Sequence, residues 1–193
     1  MELVSVDNNS AILREKCEYI EIVNDEIREI LDAMVDFCEK GTRPKTLSLA
    51  ANQVGINKRL IVIYDNDEVL KLVNPEIITE KGKQIFLEGC VNVDTKKERP
   101  GGFVERPAYI KVKALNYHGE VVEITAEGVL AIMLCHEIDH LDGIMFTDKL
   151  VSELYIFNTP EERTEFRIQN PLKVIEEPHE VDKSNINKLI KKS

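Results

Sequence analysis

The chain has 193 residues, of which 43% are hydrophobic and 31% are charged, and its formal net charge at pH 7 is −10. This length predicts a single domain over residues 1–193, and the acidic balance argues against DNA or an anionic membrane surface as a partner. No segment approaches the ~20 consecutive apolar residues of a membrane-spanning helix, and the N-terminus lacks the basic start of a targeting peptide. We therefore expect a cytoplasmic globular protein.

The first predicted element is an amphipathic helix over residues 24–40. Its apolar residues recur at helical spacing and fall on one face. Asn24 is suited to cap its N-terminus, and Gly41 is suited to end it. The segment from there to Arg59 is typical of a loop with short extended pieces.

Several strands follow the helix. Residues 59–65, 69–78 and 84–93 are rich in β-branched and aromatic side chains and predict three strands. Residues 95–102, with the sequence TKKERPGG, predict a polar loop because they contain proline and glycine. Residues 108–124 predict two further strands joined by a tight turn.

A second helix is predicted from about Glu127 to Leu141, with Thr125 as a candidate cap and Gly143 just past its end. Apolar residues cover nearly every face of this helix, as is typical of a helix buried in the middle of a domain. Strands around a buried helix, without regular alternation of strands and helices, predict an α+β fold. We expect antiparallel or mixed sheets packed around this central helix.

The pattern weakens beyond Leu150, so residues 151–193 are predicted to form a divergent C-terminal segment of the same domain. It ends in a basic patch formed by the lysines at positions 183, 188, 191 and 192. A solvated tail is the favoured interpretation. Weak contact with ribosomal RNA is the alternative.

The second helix contains the sequence HEIDH at residues 136–140. Residues four apart share a helix face, so the two imidazoles can reach one ion. Glu137 is turned about 100° away and is placed to act on water beside that ion. Two ordinary core histidines are the alternative, but burying both rings and a carboxylate without partners is energetically costly. The motif therefore favours a metal site.

The pattern does not fix the third ligand. Cys135 points to another face of the helix, and Cys17 and Cys38 lie in or near helical patterns, where burial alone explains them. Cys90 follows Gly89, which permits close approach of the backbone to another group. The remaining candidates are His118, His179, Glu161 and Glu162. Three protein ligands and one water describe an open, catalytic site.

Two further short motifs accompany the HEIDH motif. The sequence EGCV stands at residues 88–91, and TLSLAANQ stands at residues 46–53. In these three motifs, and in their order and spacing from about residue 13 to residue 150, the chain resembles the peptide deformylases. That family usually carries a G-hydrophobic-GLAAxQ motif, an EGC motif and an HExDH motif.

The resemblance implies a metal-dependent hydrolase. It implies that Cys90, His136 and His140 hold one divalent ion, usually Fe²⁺, with Zn²⁺, Ni²⁺ or Co²⁺ as substitutes. Glu137 would take a proton from water and pass it to the leaving amine. The implied reaction removes the formyl group from the initiator methionine of newly made polypeptides and releases formate, so N-formyl-methionyl peptides and nascent chains are the implied partners.

The resemblance also implies how the substrate is held. The side-chain amide of Gln53 and the backbone N–H of Val91 would stabilise the oxyanion, and the first motif would run extended beside the substrate. Independently, the helix places three apolar side chains within about 60° of His136, where they can line a pocket for the methionine side chain. The expected substrate-binding residues are Leu47, Ser48, Gly89, Val129, Ile132 and Met133.

The motifs depart from the family's pattern at three positions. Thr46 and Ser48 stand where glycines are usual, and Asn92 stands where serine is usual. Side chains in the first motif narrow or reshape the cleft, so we expect altered or slowed processing of standard formyl-methionyl peptides. Two rival hypotheses remain: a zinc peptidase that uses a downstream acid such as Glu162, and a non-catalytic relative that binds formylated chain ends.

Overall fold

The computed structural model describes residues 1–4, 11–40, 47–65, 68–95 and 97–178. Within these ranges the elements, in chain order, are α1 (Asp25–Lys40), β1 (Ser48–Ala50), β2 (Leu60–Asp65), β3 (Glu68–Lys81), β4 (Lys83–Glu88), β5 (Arg99–Arg106), β6 (Tyr109–Leu115), β7 (Val121–Glu127), α2 (Gly128–Leu141), β8 (Tyr155–Phe157), α3 (Pro160–Gln169) and β9 (Lys173–Glu176). Short 3₁₀ turns lie at Ala11–Leu13, Ala51–Val54 and Phe146–Lys149.

The strands form two antiparallel sheets. The larger sheet has the order β1-β2-β3-β6-β7, and the smaller has the order β8-β5-β4-β9. Strands β8 and β9 come from the C-terminal segment and pair with the two outer edges of the β4–β5 hairpin. The sheets and helices confirm the predicted α+β class, with antiparallel rather than mixed sheets.

The larger sheet lies between the two long helices. Alternate residues of a strand face opposite sides of a sheet, and β2 shows this clearly. Ile61 and Ile63 join the hydrophobic cluster that contains α2, whereas Leu60 and Val62 join the cluster that contains α1. Strand β2 is therefore covered on both sides, and α2 is buried along most of its length, as predicted.

The first helix also agrees with the sequence analysis. The side chain of Asn24 caps α1 by accepting a hydrogen bond from Ile27 N at 3.1 Å. Its buried positions, Ile27, Leu31, Met34 and Cys38, repeat at helical spacing. Gly41, the residue expected to end the helix, lies outside the described residues.

The third predicted strand is shorter than expected. The pattern predicts residues 84–93, but β4 ends at Glu88 and Cys90 lies in the following turn, where its carbonyl accepts a hydrogen bond from Val93 N at 3.1 Å. The apolar residues after Glu88 that led to the prediction of a longer strand pack instead in a small hydrophobic cluster with Leu13. This turn carries Cys90 out of the sheet.

The loop predicted at residues 95–102 is wrong in its second half, because β5 begins at Arg99. Its glycines serve close packing rather than a turn. A Cβ on Gly102 would collide with the side chain of Leu150, and a strand glycine often marks such an approach.

The start of α2 also differs from the prediction. Thr125 lies in β7 and does not cap the helix, and Glu127 holds the N-cap position without a side-chain hydrogen bond. Gly128 has a φ of 60°, a conformation that favours glycine, and makes the sharp change from strand to helix. Gly143, with a φ of 74°, follows the helix end as predicted.

The C-terminal segment has more regular structure than its weak pattern suggests. Helix α3 begins with Thr159, whose hydroxyl accepts a hydrogen bond from Glu162 N at 3.1 Å, and with Pro160 in its first turn. No residue of α3 is buried, which explains why it shows no apolar periodicity. His179 and the tail lysines lie outside the described residues. None of the described helices has the length and apolar character needed to cross a bilayer.

Candidate active site

The structure brings Cys90, His136 and His140 to one point. Cys90 Sγ lies 3.3 Å from His140 Nε2, and His140 Nε2 lies 3.2 Å from His136 Nε2. One ligand atom from each residue lies within 4.8 Å of the others. Ligands held at about 2.1 Å (N) and 2.3 Å (S) around a tetrahedral ion are roughly 3.4 to 3.7 Å apart. The three side chains therefore fit a divalent metal ion.

Two elements produce this convergence. His136 and His140 are one helical turn apart on α2, and the turn after β4 brings Cys90 to the same place. Burial, followed by the charges of His136 and Arg106, lowers the pKa of the His140 imidazole well below its ordinary value. A neutral ring is the form that binds metal.

The other candidate ligands lie elsewhere. Cys17, Cys38 and Cys135 belong to the hydrophobic clusters, and burial raises the pKa of the Cys135 thiol to about 12. His118 is exposed in the turn between β6 and β7. The exposed Glu162 carboxylate accepts hydrogen bonds from Asn158. Among the described residues, only the Cys90 group has metal-binding geometry with the two histidines.

A buried carboxylate orients the first histidine. Glu88 Oε2 lies 2.8 Å from His136 Nδ1, which leaves the Nε2 atom to face the other two ligands. Arg106 binds the same carboxylate through two hydrogen bonds of 2.7 and 2.9 Å and also pairs with Asp139. Burial alone would raise the pKa of Glu88, but the hydrogen bonds from Arg106 and His136 outweigh it and lower this pKa to about 2. The carboxylate is therefore ionised at neutral pH.

Glu88 and Arg106 were not identified as site residues in the sequence analysis. Glu88 does belong to the EGCV motif, and an acidic residue two positions before the candidate ligand Cys90 was the available signal. Its partner Arg106 is 18 residues away on β5, and no local pattern links the two positions.

We predict that Glu88→Gln weakens metal binding by about 10- to 100-fold, the usual effect of removing a group that orients a metal-binding histidine. Glutamine keeps the shape but loses the charge that holds the His136 ring. Competition with a chromogenic chelator measures the affinity. Glu105→Gln, at a partly exposed β5 residue paired with Lys83, is the matched control, and equal affinities in the two variants would contradict this role.

Glu137, the second residue of the HEIDH motif, lies beside Cys90, His136 and His140, which are called the metal group below. Its Oε1 accepts a hydrogen bond of 2.6 Å from the Ser48 hydroxyl. Its Oε2 is buried and has no hydrogen-bond partner among the described residues. Burial raises the pKa of this carboxyl, although His136 and Ser48 act in the opposite direction. One oxygen of the carboxylate is thus held while the other remains available.

A hydrogen-bonded network fixes the amide of Gln53. Its Oε1 accepts a hydrogen bond from Ala50 N at 2.7 Å, and its Nε2 donates to Asn92 Oδ1 at 2.7 Å and to Cys90 Sγ at 3.3 Å. The Asn92 amide donates in turn to Val4 O and Gln53 O at 2.6 and 3.1 Å. Asn92 stands where the family usually has serine. Its hydrogen bonds therefore hold the side-chain amide of Gln53 in an orientation that faces the metal group.

A cavity of about 460 Å³ opens beside these residues. All the residues expected to bind substrate line it, together with Gln53, Val91 and Glu137. Leu47 and Val129 are about half exposed at its rim, at 53% and 47%. Thr46 lies outside the described residues. The sequence analysis missed eight lining residues: Phe86, Glu88, Asp94, Arg99, Pro160, Arg163, Thr164 and Arg167.

Comparisons with known proteins give the family of the chain. The polypeptide deformylase family model matches residues 1–154. Peptide deformylase 2 of Clostridium acetobutylicum is 46% identical over 142 residues, which cover 74% of this chain and 90% of the relative. The peptide deformylase of Alkaliphilus metalliredigens is 43% identical over 155 residues, which cover 79% of this chain and 99% of the relative.

Solved structures give the same result. The peptide deformylase of Legionella pneumophila has a TM-score of 0.68 and 32% identity, covering 86% of this chain and 90% of that one. The enzyme of Synechococcus elongatus, solved with actinonin, has a TM-score of 0.70 and 29% identity, covering 88% and 85%. The chain therefore belongs to the polypeptide deformylase family, whose members are metal-dependent hydrolases that remove the N-formyl group from newly made polypeptides.

Proposed function

We propose that this deformylase holds its metal ion with Cys90, His136 and His140 and moves protons with Glu137. The observation that supports this proposal is the convergence of one sulfur and two imidazole nitrogens next to the Glu137 carboxylate, whose Oε2 accepts no hydrogen bond from the described residues. A divalent ion bound there supplies Lewis-acid activation of water and of the formyl carbonyl. Glu137 Oε2 takes the proton of the attacking water and delivers it to the leaving amine nitrogen.

Gln53 and Val91 are the proposed donors to the oxyanion. One N–H of the Gln53 amide is held by Asn92, and the other points towards Cys90 Sγ at 3.3 Å, on the side of the metal group. The backbone N–H of Val91 borders the same cavity. Donors fixed before the reaction stabilise developing negative charge without further reorganisation.

The apolar part of the cavity is the proposed pocket for the methionine side chain. Val129, Ile132 and Met133 line it from α2, and Leu47 and Ser48 line it from β1 and the residue before it. Gly89 lines another side of the cavity, and Arg163 Nη1 occupies the space where a side chain of residue 89 would lie. The substrate main chain is proposed to lie between these two sides.

Fe²⁺ is the proposed native ion, because thiolate and imidazole are ligands that it accepts, and Zn²⁺, Ni²⁺ or Co²⁺ are the proposed substitutes. Metal analysis of protein purified without oxygen, paired with formate release from formyl-Met-Ala-Ser, tests the ion and the activity together. Formate release by iron-loaded protein is the expected result. Metal-loaded protein that binds the peptide but releases no formate would contradict the proposal.

The cytoplasm, where formylated chains are synthesised, is the proposed site of action. Weak ribosome contact through the lysines at positions 183, 188, 191 and 192 is proposed as a minor feature, supported only by their charge. Truncation after Asp182 is expected to reduce binding to ribosomes at low salt. Unchanged binding and unchanged salt dependence would remove this part of the proposal.

Ser48→Gly is predicted to raise kcat/KM for formyl-Met-Ala-Ser by about 3- to 10-fold. The Ser48 hydroxyl donates a hydrogen bond of 2.6 Å to one oxygen of Glu137 and fills space beside the substrate. A hydrogen bond to a charged group is worth about 1.5 kcal/mol or more. Steady-state assays of wild type, Ser48→Gly and Thr46→Gly/Ser48→Gly measure the effect. Identical kinetics in all three proteins would show that these side chains do not restrict the reaction.

A further inference from the structure

The C-terminal segment supplies one wall of the active-site cavity. The family model ends at residue 154, and β8, α3 and β9 all follow that point. Pro160, Arg163, Thr164 and Arg167 of α3 line the same cavity as the metal group. This part of the chain, beyond the region the family model describes, therefore faces the substrate.

Arg163 holds helix α3 against the EGCV motif, which contains Cys90. Its guanidinium pairs with Asp94 at 2.9 and 3.3 Å and donates to Pro100 O at 3.3 Å. A Cβ on Gly89 would lie only 2.6 Å from Arg163 Nη1, so the guanidinium packs directly against the Gly89 backbone. The charge of Arg163 is balanced by Asp94, and its role is to hold the wall in place.

The other two arginines that line the cavity, Arg167 on α3 and Arg99 on β5, are held by backbone carbonyls, although the charges of Glu88 and Asp94 also act on Arg167. Arg167 donates to Leu87 O at 3.0 Å and lies over the Phe86 ring at 5.6 Å. Arg99 donates to Asn158 O at 3.3 Å. Neither forms an ion pair with any acidic group in the described part of the chain. Burial, followed by the charge of Arg163, lowers the pKa of Arg167 to about 10, so this guanidinium is still charged at neutral pH.

Three carboxylates also line the cavity, but Glu88 pairs with Arg106, Asp94 pairs with Arg163, and Glu137 lies beside Cys90 and the two histidines. Arg99 and Arg167 are therefore the cations of this lining that have no ion pair among the described residues, in a molecule whose formal net charge is −10. Fixed positive charge in a partly buried wall attracts negative groups and disfavours positive ones.

We propose that Arg99 and Arg167 select formyl-methionyl chains that carry acidic side chains in the first residues after the methionine. This inference rests on the proposed function of the metal group. The methionine occupies the apolar part of the cavity, and the following residues of the substrate pass the wall formed by β5 and α3. The selected group is a peptide carboxylate, and a lysine at the same position is disfavoured.

The test uses the metal-loaded, full-length chain and three amidated peptides: formyl-Met-Ala-Glu, formyl-Met-Ala-Gln and formyl-Met-Ala-Lys. A second series of peptides places the same three residues directly after the methionine. Amidation leaves the side chain as the only variable charge. We expect kcat/KM for the Glu peptide to exceed that for the Lys peptide by about tenfold at low salt in at least one series, because each exposed ion pair contributes a few-fold. The difference should lie in KM, since these groups do not react, and should shrink at high salt.

Arg99→Gln/Arg167→Gln is expected to bring the Glu-to-Lys ratio close to one, and Arg99→Gln alone should remove part of it. Taking the ratio within each protein removes any general loss of activity. Arg28→Gln on α1, whose guanidinium contacts Asp25 and Tyr117 O away from the cavity, is the matched control and should keep the ratio of wild type. Equal processing of all three peptides by wild type in both series, or an unchanged ratio in the double variant, would overturn the inference. Formate release from the Gln peptide checks the proposed function separately.

Discussion

Cys90→Ser is expected to lose bound metal and to reduce formate release by at least ~100-fold, because a serine hydroxyl is a poor replacement for a thiolate ligand. In the wild type, Cys90 is almost fully buried, with its Sγ 3.3 Å from His140 Nε2. Removal of a direct ligand should reduce metal affinity by more than the 10- to 100-fold that follows removal of a group that only orients a ligand. Metal content by mass spectrometry and formate release from formyl-Met-Ala-Ser measure the two effects.

Cys17→Ser is the matched control for this experiment. Cys17 is also buried, but it packs in the hydrophobic cluster around α2 rather than in the metal group. Its variant should keep its metal, with any loss confined to thermal stability. If Cys90→Ser retained full metal content and activity, a zinc peptidase with a different third ligand would be the better interpretation. Glu162, the acid considered for that role, is on the exposed surface of α3 and bonds to Asn158.

Glu137→Gln is expected to keep its metal and lose activity by about 10²- to 10⁴-fold, the usual contribution of a group that transfers protons. Glutamine preserves the volume of the side chain, and its amide oxygen can still accept the hydrogen bond of the Ser48 hydroxyl. It cannot accept a proton from water at neutral pH. Metal content, peptide affinity and formate release together separate chemistry from binding.

Glu123→Gln, an exposed β7 residue paired with Lys111, serves as the control and should behave as wild type. Equal formate release by Glu137→Gln and wild type would remove Glu137 from the mechanism. Tight peptide binding without formate release in both proteins would instead support the non-catalytic relative. Glu137 Oε2 is buried and has no hydrogen-bond partner among the described residues. This argues against that alternative, because a carboxylate placed in this way has little use in a protein that only binds.

The parts of the fold that depend on local signals were predictable from the sequence. Helix α1 has a capping asparagine and an apolar stripe, and β2 and the β6–β7 pair have strand-like composition, so each was identified within a few residues. Where the local pattern predicted the wrong element, tertiary packing was the reason. Residues 89–93 resemble a strand, but Cys90 and Val93 pack in a separate cluster. Gly102 resembles a turn residue, but it leaves room for the Leu150 side chain.

The site was predictable only in part, for a related reason. The histidine pair is readable because both ligands lie on one helix turn. The choice of Cys90 over the other cysteines came from the family resemblance, since 46 residues separate it from His136 and no periodicity spans that distance. The contacts of Ser48 with Glu137 and of Glu88 with Arg106 join different elements, and such pairings are set by topology. Helix α3 was not predicted because none of its residues is fully buried, so it lacks a clear apolar stripe.

The pairing of β8 and β9 with both edges of the β4–β5 hairpin has an energetic consequence. Cys90 lies two residues after the end of β4, so the order of this hairpin determines the position of one of the three proposed ligands. An ion bound at the proposed site and the docking of β8 and β9 would then favour the same conformation of the hairpin. Two events coupled in this way reinforce each other reciprocally, so the ion would stabilise the docked strands by the same factor by which those strands increase its affinity.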